Sequence, residues 1–249
     1  MIELQQAEKL YGRTRQQQQK DGKGFHSMNI TIPDGQIVGV LGENGAGKST
    51  LLRAIVGLTS LTNGQILLDG KPASAQYSQL AYLTGEGTYP SNVTPRQYQA
   101  FLQDFYPHFN GKRYQSLLQF FALDPDQTIS KFSTGQRAKL ELATGMGKQA
   151  KYLIMDEPFL GKDVFSRRDF IKLLAGSLHG DETILLSSHY VEEIEPLLDR
   201  VLILHKGQLV TDVLMDDMRE NGNSLMQLLA DAVDYDSQRC LDLFAEEDA

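Results

Sequence analysis

A single cysteine, Cys240, stands among 249 residues. It has no partner for an internal disulfide and no metal-ligand spacing around it, which points to a reducing compartment and a structural thiol. Long apolar runs are also missing. The most extended, Leu153-Ile154-Met155 and Val201-Leu202-Ile203-Leu204, fall far short of the roughly 20 residues a membrane-spanning helix needs. The start, Met1-Ile2-Glu3-Leu4, has no basic stretch leading into an apolar core, so no secretory leader is expected there. Positive charge is in deficit, with a net charge of −8. Nucleic acid, which demands a basic face, is therefore not expected as a partner. Most of the deficit is local, because Leu229 to Ala249 holds seven acidic residues against Arg239, and the body is nearly neutral. The length suits one large α/β domain with room for an inserted lobe.

What is present is organised around one stretch. Gly42-Glu43-Asn44-Gly45-Ala46-Gly47-Lys48-Ser49 fits the pattern G-x-x-x-x-G-K-[ST]. Ile37, Val38, Val40 and Leu41 before it suit a buried strand, and Thr50-Leu51-Leu52-Arg53-Ala54-Ile55-Val56 after it suits a helix ending near Gly57. Glycine-rich backbone between strand and helix aims several N–H dipoles at one point, where the helix dipole also favours negative charge. The stretch Gly42 to Thr50 thus reads as a cradle for a polyphosphate. Lys48 would reach the β- and γ-phosphates, and the Ser49 hydroxyl would take one position on Mg²⁺.

Taken in order, Met1 to Leu10 reads as an edge strand of an antiparallel sheet, and the polar segment Gly12 to Gly22 as an exposed loop. Phe25, Met28, Ile30 and Ile32 resume alternation before the turn Pro33-Asp34-Gly35. Asn63-Gly64 and Asp69-Gly70 read as tight turns on either side of the strand Ile66-Leu67-Leu68. Thr94-Pro95-Arg96-Gln97 combines an N-cap, a proline at the first helical position and a capping-box glutamine. Tyr98, Phe101, Leu102 and Phe105 then fall on one helix face, and Tyr114, Leu117, Leu118 and Phe121 repeat the spacing. This pattern predicts two helices packed through an aromatic core. Ser133-Thr134-Gly135-Gln136 opens another helix to about Gly145, followed by strands at Tyr152 to Met155, Thr183 to Ser187 and Val201 to Leu204, the last turning back into Leu209-Val210. The last forty residues read as mostly helical, with a solvated acidic end.

Two adjacent carboxylates end the buried run Tyr152-Leu153-Ile154-Met155-Asp156-Glu157. Acids at a C-terminal strand tip sit where α/β sheets bind ligands, so Asp156 would hold Mg²⁺ through water and Glu157 would polarise an attacking water.

With these motifs in order, the chain from about Ile2 to Met218 resembles the nucleotide-binding subunit of an ATP-binding cassette (ABC) transporter. Phe132-Ser133-Thr134-Gly135-Gln136-Arg137 resembles the family signature that contacts ATP held by the opposite subunit, and Ser187-Ser188-His189 the strand end with a switch histidine facing the γ-phosphate. Gly161-Lys162-Asp163 resembles the loop that touches the partner subunit, and Tyr11 the aromatic that stacks on adenine. Three positions depart from the family pattern. Gly85 stands where a strand usually ends in glutamine, and Glu86, one residue on, is a further candidate metal ligand, the alternative being a side chain turned to solvent or permease. Thr134 replaces a glycine, and Lys162 a leucine.

The resemblance implies a P-loop NTPase fold with a mostly parallel core sheet, an N-terminal antiparallel β part and a helical subdomain at about 89–145. The cassette would span 1–218, and 219–249 would form a helical, acidic tail. It further implies an ATPase using ATP and Mg²⁺, with Glu157 and His189 catalytic. The subunit would pair head-to-tail with a second one and drive a separate membrane permease, an exporter of drugs, peptides or similar substrates. It would lie in the cytoplasm, peripheral on the inner face of the membrane. A non-transport ABC-type ATPase, acting as a switch on soluble partners, is the alternative.

Overall fold

A computed structural model describes residues 1–12, 23–84, 89–159, 164–177 and 182–233. The expectations for Gly85, Glu86, Gly161-Lys162-Asp163, Cys240, most of the 12–22 loop and the acidic end fall outside the described residues.

Among the described residues, six strands form the main sheet: β3 (Ile37–Leu41), β5 (Leu80–Thr84), β6 (Tyr152–Asp156), β7 (Thr183–Ser187), β8 (Arg200–His205) and β9 (Gln208–Leu214), in the order β5-β6-β7-β3-β8-β9. All neighbours are parallel except β9, which returns antiparallel to β8. A second sheet of β1 (Ile2–Leu10), β2 (Gly24–Ile32) and β4 (Asn63–Leu68) is antiparallel, in the order β2-β1-β4. This is the expected α/β P-loop architecture. Alternation along the core strands divides two cores. Val38, Val40, Tyr152, Ile154, Leu185, Leu202 and Leu204 point to one side, where α1 (Lys48–Ile55) and the antiparallel sheet pack. Leu153, Met155, Ile184, Leu186, Val201 and Ile203 point to the other, where the remaining helices lie.

Those helices are α2 (Pro95–Phe105), α3 (Gly111–Phe120), α4 (Thr134–Gly147), α5 (Val164–Ser177), α6 (Val191–Ile194), α7 (Met215–Glu220) and α8 (Leu225–Ala232). The capping boxes form as expected: the Gln97 amide N–H donates to Thr94 Oγ1 at the start of α2, and that of Gln136 to Ser133 Oγ at the start of α4. Leu225 of α8 is fully buried in the core. No helix among the described residues is long and apolar enough to cross a membrane.

Three expectations need correction. β1 is the central strand of its sheet, not an edge, because β2 and the distant β4 both pair with it. Gly64 makes no tight turn; it lies inside β4, where the pairing with β1 shifts register between Gln5 and Glu8. Finally, the aromatic stripe of α2 is split. Tyr98 and Leu102 are buried, whereas Phe101 and Phe105 remain 49% and 63% exposed, in contact with each other with ring centroids 4.5 Å apart and ring planes tilted by 37°.

Candidate functional site

Register brings the site together. Thr84 of β5, Asp156 of β6 and Ser187 of β7 are paired neighbours, and Ser187 pairs in turn with Val40 of β3. The C-terminal tips of four strands therefore end level with one another, beside the loop that leads into α1. In an open parallel sheet this edge is where ligands bind. A cavity of about 400 Å³ opens there, lined by Tyr11, Lys23, Gly24, residues 44–50, Glu157 and His189. Most of the residues singled out from sequence thus share one cavity, although they come from distant parts of the chain.

The loop's glycines are required by space and by backbone. Gly42 and Gly47 have φ of 139° and 103°, in the region that favours glycine. A Cβ at Gly42 would lie 2.1 Å from the Leu204 carbonyl oxygen, and one at Gly47 2.3 Å from that of Gly24. The loop is wedged against two other strands. Lys48 is buried, and its Nζ donates to the carbonyls of Gly42 at 2.8 Å and Glu43 at 3.1 Å. Burial lowers its pKa, an effect that the carboxylates of Glu157 and Asp156 oppose.

Asp156 is buried and held by three hydroxyls. Ser49 Oγ donates to Oδ1 at 2.8 Å, Ser187 Oγ to Oδ1 at 3.1 Å, and the Tyr82 phenol to Oδ2 at 3.1 Å. Ser187 Oγ also accepts the Glu157 N–H at 2.9 Å, so one hydroxyl fixes both acids. Burial raises the Tyr82 phenol to about 12, keeping it a donor. Glu157 has a left-handed φ of 50°. His189 Nε2 lies 3.1 Å from Glu157 Oε1 but without hydrogen-bond alignment, so both buried carboxylate oxygens of Glu157 lack a hydrogen-bond partner. A buried acceptor left open in this way is one that a water or ligand would satisfy.

Ser49 and Asp156 offer hard oxygens suited to Mg²⁺. No group of three or more His, Cys, Asp or Glu able to hold a metal occurs among the described residues. The signature residues stand apart: Ser133, Thr134 and Gly135 are exposed at the start of α4 and do not line the cavity. Glu43 is exposed as well, with its Oε2 3.6 Å from His205 Nδ1. Sequence reasoning missed Tyr82. Its contact with Asp156 depends on β5 pairing with β6 across about 70 intervening residues, which no local pattern announces.

The ABC transporter family model matches residues 25–160. This chain belongs to the ABC transporter family. The ABC transporter ATP-binding protein NatA of Bacillus subtilis (strain 168) is 30% identical to it, over 84% of this chain and 89% of that protein. A solved ATP-binding subunit of an ABC transporter superposes with a TM-score of 0.80, at 24% identity, covering 93% of this chain and 99% of the other. A dimeric post-hydrolysis state of the ATP-binding cassette MJ0796, bound to ADP and Pi, gives 0.73 at 18% identity, over 86% and 99%. At these identities the two structures speak for the fold. The ABC chain is an ATP-binding subunit and an ATPase. Its relatives include proteins named for import and proteins named for export.

The ABC subunit's loop makes a steric prediction. Gly45 has φ of 84° with nothing within 4 Å of an added Cβ, whereas Gly47 combines strain with a backbone clash. Gly45→Ala should cost about 1–3 kcal/mol of strain. Gly47→Ala should cost that and a further ~1–3 kcal/mol for the forced shift. Urea unfolding of both variants checks the order; equal losses would show that the loop is not wedged against Gly24.

Proposed function

We propose that this ABC subunit hydrolyses ATP to drive a separate membrane permease, most closely of the exporter kind, while lying on the inner face of the cell membrane. The observation that carries the reading is the single cavity joining the Gly42 to Thr50 cradle, Glu157 and His189. In it, the backbone N–H groups and Lys48 bind the β- and γ-phosphates, and Tyr11 stacks on the adenine. Ser49 and Asp156 would hold Mg²⁺, which would supply neutralisation of the phosphate charge. Glu157 orients the attacking water and takes its proton, since its carboxylate is buried, hydrogen-bond-free and at the cavity wall. His189, whose Nε2 lies 3.1 Å from Glu157 Oε1 at the same cavity, would contact the γ-phosphate.

The proposed partner is a second nucleotide-binding subunit, whose Ser133, Thr134, Gly135 and Gln136 would complete the site. Gly135 supports this. Among the described residues, a Cβ there would meet only Ser133 Oγ, at 4.0 Å, so none of them demands glycine. The demand would come from a phosphate approaching the exposed helix N-terminus from outside. The adjoining, exposed rings of Phe101 and Phe105 give the helical lobe an apolar face suited to a permease.

Glu157→Gln should bind Mg-ATP but turn it over about 10²–10⁴-fold more slowly. The sandwich should then accumulate as a faster-sedimenting species with ATP. Wild-type turnover in this variant would remove Glu157 from the catalytic role. Affinity purification of the subunit from detergent-solubilised membranes tests the larger reading. A stoichiometric partner with several apolar segments of about 20 residues is expected; only soluble partners would favour a regulatory ATPase instead.

A further inference from the structure

His189 sits on a three-residue bridge, Ser188-His189-Tyr190, between the end of β7 and the start of α6. The upstream end is anchored through Ser187, which binds both Asp156 and the Glu157 N–H. What anchors the downstream end is Arg167, a residue no motif singles out. Its Nε donates to Glu193 Oε2 at 2.9 Å and its second guanidinium nitrogen to Oε1 at 2.8 Å, while the guanidinium plane lies 4.1 Å from the centre of the Tyr190 ring. Arg167 is buried, and Glu193 lies on the short helix α6.

Two features argue that this contact does more than stabilise α5. Arg167 is the fourth residue of that helix, where a cation opposes the helix dipole instead of complementing it. In addition, Tyr190 and Glu193 lie on the His189 side: Tyr190 follows the histidine directly, and Glu193 is four residues on. Planar, bidentate and stacked contacts are ones that only a guanidinium makes together. We propose that Arg167 is a positioning residue that clamps Tyr190 and Glu193 and thereby holds His189 at Glu157 and the cavity. The proposal rests on the reading that His189 acts on the γ-phosphate.

Arg167→Lys keeps the charge but loses the fork and the stacking plane. It should reduce kcat by about ten- to a hundredfold, since small misplacements of a catalytic group cost that much. KM, ATP affinity and the melting temperature should stay near wild type. Glu193→Gln should produce the same loss, and the double variant no further loss, because one clamp is removed in either case. In the nucleotide-free protein, the imidazole resonance of His189, assigned by comparison with His189→Ala, should shift in Arg167→Lys. An unmoved resonance overturns the proposal, as does an Arg167→Lys variant with wild-type kcat or a loss confined to KM and melting temperature. A wild-type protein without ATPase activity would instead sink the functional reading, and the resonance would still decide whether Arg167 positions His189.

Discussion

A buried carboxylate needs hydrogen-bond donors to offset its lost hydration, and in this protein that requirement is met at Asp156 from three directions. Tyr82 comes from β5, Ser187 from β7 and Ser49 from α1, so two strands and one helix converge on one side chain of β6. All donors are hydroxyls, which hold the carboxylate without neutralising it. The nearby cation, Lys48, is turned back onto the carbonyls of its own loop. The result is a dry anionic point beside a cluster of N–H dipoles, complementary to a cation that itself carries phosphates. The rest of the domain serves this arrangement: the parallel register levels the strand tips, and the antiparallel sheet wedges the glycine loop from behind through Gly24.

Much of this was legible in the residues. The cradle, its strand and its helix lie within about twenty consecutive positions, where pattern and steric need coincide. The capping boxes at Thr94 and Ser133 were equally plain, because a cap is a contact between residues three apart. What failed were judgements that depend on distant pairing. β1 looked like an edge since nothing local shows that β4 will pair with its free side. Gly64 looked like a turn because Asn-Gly usually is one, whereas register against Gln5 and Glu8 makes it a strand irregularity. Phe101 and Phe105 fit a helical stripe, but that stripe is wider than the surface available to bury it. Tyr82 and Arg167 act through partners about 74 and 26 residues away, and carried no signal.

The cavity and the signature helix occupy different parts of the surface. The groups lining the cavity sit at the strand tips, the cradle and the ends of the antiparallel strands, while the helix start at Ser133 is presented outward. Under the proposed function a second subunit would bring these two surfaces together around the nucleotide. The proposed clamp of Arg167 on Tyr190 and Glu193 would belong to the same logic, because it joins α5 to the loop that carries His189.

The central claim is that Asp156 is held in place by its three hydroxyl donors to receive a cation carried by the nucleotide. Calorimetric titration of ATP into wild type and Asp156→Asn, each with Mg²⁺ and with EDTA, tests it most directly. The account predicts that Mg²⁺ tightens ATP binding to the wild type by at least about tenfold, the equivalent of about 1.4 kcal/mol, and leaves binding to Asp156→Asn nearly unchanged. An equal Mg²⁺ effect in both proteins would contradict it.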